Sequence, residues 1–147
     1  MTGYLIKADH LSQVWEKGLR LIWDGEYVKD QRDSETMEVL GLQTVIPYSK
    51  IKLPKLYPHK ERALKDYREQ LCHPDLTSGF IYTYGNRTQA WGHELGQPIN
   101  QIDYAIQQLR ESSSSRRAVA STWLPTFDCK RSEVPCMMVD QFILRNS

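Results

Sequence analysis

Apolar residues along this chain switch repeatedly between helical spacing and short extended runs, a pattern that neither helices alone nor strands alone can satisfy. Ile99, Ile102, Ile106 and Leu109 share one stripe of a helix read from Asn100 to Arg110. Leu11, Val14, Trp15, Leu19 and Ile22 do the same from Asp9 to Trp23, with Asp9 placed to cap the helix and Asp24-Gly25 to break it. A third helix runs from Lys60 to Leu71 with Ala63, Leu64, Tyr67 and Leu71 on one side, and His73-Pro74 ends it. The polar stretch Lys29 to Glu35 reads as an exposed loop, and the residues around Pro54 and Pro58 as an irregular connection. Met37 to Pro47, with Val39, Leu40, Leu42, Val45 and Ile46, reads as a strand in which Gly41 marks a candidate bulge. Phe80 to Tyr84 is a short strand ending at a Tyr84-Gly85 turn. Arg117 to Trp123 and Cys136 to Leu144 are two more strands, separated by a loop that contains Pro125. This mixture points to an α/β or α+β fold, and 147 residues suit one domain with a real core.

Charge and cysteine usage narrow the function classes. A net charge of +1 supplies no global basic field for nucleic acid, so any phosphate must be held by local arginines. The apolar runs are too short to span a bilayer. The first residues lack the basic segment and long apolar stretch of a secretory signal. Three cysteines at irregular spacing make neither a disulfide framework nor a zinc knuckle, so no metal is expected and a reducing cytoplasm is the expected compartment.

Cys136 follows Pro135 at the start of an apolar segment, where a buried structural cysteine is one reading and a reactive thiol another. Arg116 and Arg117 open the preceding strand. Guanidinium groups lower a thiol pKa and hold phosphate bidentately, although two solvated surface arginines would look the same. Neighbouring strand residues point to opposite faces, so a shared purpose would send the two arginines to different sites or across a dimer interface.

The ordered set Ser115-Arg116-Arg117, Ser121-Thr122-Trp123 and Pro135-Cys136 resembles the central segment of thymidylate synthases. The intervals agree as well, six residues from Arg117 to Trp123 and thirteen from Trp123 to Cys136. Upstream, Tyr84-Gly85 through Trp91 resembles the family's Tyr-Gly segment that ends in Trp. Asn100-Gln101-Ile102-Asp103 resembles the helix between the two. Two departures suggest a divergent, archaeal-type branch: Met137 stands where bacterial members have His, and Arg87-Thr88-Gln89 stands where they have Gln-Trp-Arg.

The resemblance implies a mixed sheet with flanking helices and the reductive methylation of dUMP to dTMP by 5,10-methylenetetrahydrofolate, with no metal. It makes Cys136 the nucleophile, Tyr84 part of the proton path from C5, and Glu69 the relay carboxylate, with Glu61 a competitor on the same helix. Arg32, in the charged turn before the first long strand, would bind phosphate together with Arg116 and Arg117. The arginine pair would reach into the partner subunit's site, making the whole enzyme a homodimer. The family's later phosphate, folate and pyrimidine contacts have no counterpart before Ser147, so the chain is expected to be an incomplete, N-terminal two thirds. A deoxycytidylate hydroxymethylase-like enzyme, a non-catalytic fragment of the same fold, and an unrelated small α/β binding protein are the alternatives.

Overall fold

A computed structural model describes residues 3–47, 58, 61–92 and 96–145. The chain divides into two compact units, Met1–Pro58 and His59–Ser147. Helices and small sheets intermix, which is the α+β class expected. Among the described residues the strands form three two-stranded sheets.

In the first unit, β1 (Tyr4–Lys7) leads into α1 (Leu11–Trp23), followed by β2 (Glu26–Lys29), β3 (Glu35–Glu38) and β4 (Leu42–Val45). The helix begins after Asp9, because the Asp9 N–H donates to Gln13 Oε1 (3.0 Å) and His10 takes the cap position. Ile6 and Gly18 are buried, whereas Trp15, Leu19 and Ile22 of the expected apolar stripe are exposed. The loop expected from Lys29 to Glu35 is narrower than the sequence suggests. β2 and β3 pair antiparallel around it, and Asp30 Oδ1 accepts from the N–H groups of Arg32 (2.8 Å) and Ser34 (2.9 Å) to close the turn. The single strand expected from Met37 to Pro47 is two. Gly41, at φ +71°, adopts a conformation few other residues tolerate and carries the chain from the β2–β3 hairpin into β4, which pairs in parallel with β1. Gly41 therefore redirects the chain between sheets and makes no bulge.

In the second unit, α2 (Glu61–Cys72), α3 (Tyr84–Gln89), α4 (Gln101–Glu111), β5 (Val119–Ser121), α5 (Pro125–Asp128) and β6 (Val139–Gln141) follow in order. The connection around Pro54, Lys60 and the side chain of Glu61 lie outside the described residues. The strand expected at Phe80 to Tyr84 is absent. Thr83 Oγ1 accepts the Asn86 N–H (3.3 Å) and caps a helix that begins at Tyr84. Gly85 makes no turn. A Cβ there would stand 2.2 Å from the His73 carbonyl oxygen, so glycine is needed for α3 to back onto the end of α2. Gln89 Nε2 donates to the Cys72 carbonyl (2.7 Å) and Asn86 Nδ2 to that of Pro74 (2.8 Å), which satisfies carbonyls that a helix end leaves open.

Asn100 caps α4 by accepting from the N–H groups of Ile102 (3.1 Å) and Asp103 (3.0 Å). Ala105 is the buried residue of that helix, while Ile99 and Ile106 of the expected stripe are exposed. Gln101 joins three elements: its amide donates to the carbonyls of Arg87 and Ser121 and accepts the Ser121 N–H, each at 2.8 Å. β5 and β6 pair antiparallel over three residues each, less than the expected spans Arg117 to Trp123 and Cys136 to Leu144. The Val119 N–H turns back to the Arg117 carbonyl (2.9 Å), which keeps the arginine pair out of the ladder. The expected Pro125 loop holds α5, with Pro125 in its first turn where a missing N–H costs nothing.

At the centre of this unit Arg87 and Asp128 form a buried ion pair, 2% and 0% exposed, with Nη2–Oδ1 at 2.7 Å and Nη1–Oδ2 at 3.2 Å. Asp128 Oδ2 also accepts the Leu124 N–H (2.8 Å). The guanidinium lies 4.3 Å from the Trp91 ring centre and 5.1 Å from that of Phe127. Asp128→Ala, which strands a buried cation, is expected to destabilise this unit by about 3–5 kcal/mol, and the paired change Arg87→Met with Asp128→Leu by less. Urea unfolding of the two variants checks the order.

Candidate active site

Cys136 occupies a bend three residues before β6, and its side chain is exposed. The backbone around it is tied from two directions. From one side, Tyr82 Oη donates to the Val134 carbonyl (3.2 Å), and Tyr84 Oη accepts the Met137 N–H (3.3 Å). From the other, the Thr122 N–H donates to the Met138 carbonyl (3.0 Å) and Thr122 Oγ1 to that of Met137. Thr122 and Pro135 are buried, so the thiol projects from a segment that is itself held down.

The two tyrosines reach the segment because Thr83, the cap between them, is extended (φ −129°, ψ 153°), which sends the side chains on either side of it the same way. The rings meet edge to face, with centroids 5.7 Å apart at 71°. Burial pushes the Tyr82 hydroxyl up to about 12, with Tyr84, Cys136 and Glu133 adding to the shift. Its proton therefore stays in place as a donor at any physiological pH. Beside the pair lies a cleft of about 420 Å³ that includes Tyr67, Leu71, Phe80, Tyr82, Tyr84 and Glu133 in its lining.

The residues singled out from sequence are distributed unevenly about this site. Cys136 and Tyr84 come together through Met137. Glu69 is exposed on α2, turned away from the Tyr67, Gln70 and Leu71 face that lines the cleft. Glu61 opens the same helix. Arg116 and Arg117 are exposed, and among the described residues neither guanidinium pairs with a carboxylate. Arg116 borders a shallow cleft with Ser113, Ser114, Leu144 and Arg145. Arg32 belongs to the first unit, exposed in the β2–β3 turn. Tyr82, Glu133 and Asp128 carry no expected role from the sequence, and Arg87 stands out there only as part of a departure from the family's Gln-Trp-Arg. Arg87 carried one usable signal, a cation four residues before Trp91. Among the described residues, no helix is long and apolar enough to cross a membrane.

Fold and site define an α+β protein that presents an exposed thiol beside a pair of tyrosine hydroxyls. The thymidylate synthase family model matches residues 2–147. The chain belongs to the thymidylate synthase family. A Methanosarcina acetivorans protein named "Putative thymidylate synthase" is 40% identical over 147 residues, covering 98% of this chain and 65% of the relative. The same name is carried by a Methanosarcina mazei protein at 40% identity, again with 98% and 65% covered. It is also carried by a Methanothermobacter thermautotrophicus protein at 34% over 161 residues, with 98% and 70% covered. The chain thus spans 65% of the length of the two Methanosarcina relatives.

The Tyr82 shift makes a prediction for stability. Between an ordinary tyrosine's pKa of about 10 and the folded value of about 12, the unfolded chain releases the Tyr82 proton while the folded one keeps it. Stability therefore falls as pH rises through that window. Denaturation at a series of alkaline pH values is expected to show a shallower fall in Tyr82→Phe than in the wild type.

Proposed function

We propose that the protein to which this chain belongs converts dUMP to dTMP, with Cys136 as its nucleophile and 5,10-methylenetetrahydrofolate as cosubstrate. The observation that carries the reading is the contact between Tyr84 Oη and the Met137 N–H, which stands a tyrosine hydroxyl one residue from an exposed thiol in a chain of this family.

The chemistry suits these groups. The Cys136 thiolate adds to C6 of the pyrimidine, and the electron pair moves to C5 and the C4 carbonyl. C5 then bonds to the one-carbon unit of the cosubstrate. Tyr84, with bound water, takes up the C5 proton, and the electron pair so released breaks the bond from that carbon to the cosubstrate nitrogen. A hydride from the cosubstrate then completes the methyl group, leaving dihydrofolate, and expulsion of the Cys136 sulfur restores the ring double bond. Glu69, by resemblance to the family, would relay protons to the ring carbonyl and the cosubstrate through ordered water, as its exposed place on α2 off the cleft-lining face requires. Arg32, Arg116 and Arg117 hold the phosphate, whose charge and paired oxygens suit guanidinium forks. The exposure of Arg116 and Arg117 supports the further reading that they serve the site of a second copy in a homodimer of the whole protein. The expected compartment is the cytoplasm.

The test is covalent capture of 5-fluorodeoxyuridylate by the full-length protein in the presence of methylenetetrahydrofolate, followed by mass spectrometry. The wild type is expected to gain the nucleotide and cosubstrate masses on the Cys136 peptide, and Cys136→Ser to gain neither. A wild-type protein with no adduct and no turnover would end this reading.

A further inference from the structure

Tyr82 has no part in the resemblance that singles out Tyr84, yet its hydroxyl bonds the same segment upstream of Cys136 in the chain, where Tyr84 bonds it downstream. Tyr82 Oη holds the Val134 carbonyl two residues before Cys136, and Tyr84 Oη holds the Met137 N–H one residue after it. Pro135 lies between Val134 and Cys136 and has no N–H to offer a neighbour. The Tyr82 hydroxyl is thus a side-chain anchor on the upstream flank, as Tyr84 and Thr122 are on the downstream one. The segment precedes β6, and among the described residues no strand pairing fixes Cys136 itself. A cysteine side chain has one rotatable bond to its sulfur, and the line of attack is set largely by the backbone on either side.

Tyr82 is also built to stay where it is. Its ring packs against Tyr84 and lies 5.7 Å from the buried Arg87 guanidinium, and Tyr82 is among the residues that line the cleft. Its elevated pKa keeps it a donor throughout the neutral range.

We propose that Tyr82 is a positioning residue, whose hydroxyl fixes the Val134 carbonyl and so sets the direction in which Cys136 presents its sulfur to the pyrimidine. This rests on the reading of Cys136 as nucleophile. Misplacing a reacting atom by a fraction of an ångström to an ångström costs about 10–100-fold in an oriented attack. A small alkylating agent approaches from any open direction and does not sense the change.

The experiment compares the full-length wild type with Tyr82→Phe, which removes the donor and keeps the ring. Two rates are measured: capture of 5-fluorodeoxyuridylate with methylenetetrahydrofolate, and alkylation of Cys136 by iodoacetamide, both mapped to the Cys136 peptide. Capture in Tyr82→Phe is expected to slow about tenfold or more, with dUMP binding unchanged and alkylation within about twofold of wild type. Replacing Tyr82 with 4-aminophenylalanine, which restores an N–H donor, is expected to recover most of the capture rate. Capture at the wild-type rate in Tyr82→Phe, or a parallel loss of capture and alkylation, would overturn the proposal. A wild type that is alkylated but captures nothing would instead remove the reading of Cys136 on which it stands.

Discussion

The second unit of this chain depends on one buried ion pair. Arg87 on α3 and Asp128 on α5 are 41 residues apart and meet with both partners almost fully out of water. Two such charges would destabilise the fold if their hydrogen bonds were incomplete. Here Asp128 accepts from both guanidinium arms and from the Leu124 N–H, and aromatic faces receive the cation. The pair fixes α3, whose first residue is Tyr84, to the segment that leads from β5 towards Cys136. Gln101 adds a second tie, from α4 to the Arg87 carbonyl and to β5. The geometry at the thiol is inherited from these contacts: Tyr84 stands opposite Met137 because α3 can sit in only one place.

Glycine and tyrosine in the Tyr84-Gly85 dipeptide do separate work. Gly85 lets α3 approach the end of α2 to a distance no side chain would allow, and Gln89 and Asn86 hydrogen-bond the carbonyls exposed there. Tyr84 uses that placement to touch the nucleophile segment. A dipeptide that looks like a turn in the sequence is a helix start, because Thr83 supplies the cap.

The parts of the fold that could be read from sequence were those governed by local rules. Asn100 and the apolar spacing after it located α4, and His73-Pro74 located the end of α2. Ser-Arg-Arg, Trp and Pro-Cys at fixed intervals gave the family and its expected nucleophile. What escaped depends on partners distant along the chain. Arg87 and Asp128 look like surface charges until the fold brings them together. β1 and β4 pair in parallel across an intervening helix and hairpin, which no periodicity reveals. Gly41 looked like a bulge because the apolar run continues through it, yet its positive φ separates two sheets. Tyr82 was hidden for a simpler reason: beside a family tyrosine, a second one looks like packing.

The buried pair holds Tyr84 against the segment carrying Cys136, and amide hydrogen exchange at Met137 tests this most directly. The Met137 N–H is bonded to the Tyr84 hydroxyl and lies outside any strand. It is therefore expected to exchange slowly in the native protein, and markedly faster in the paired variant Arg87→Met with Asp128→Leu, which leaves no buried charge unmatched, while the β5–β6 amides stay protected. Fast exchange in the native protein, or exchange unchanged in that paired variant, would contradict this.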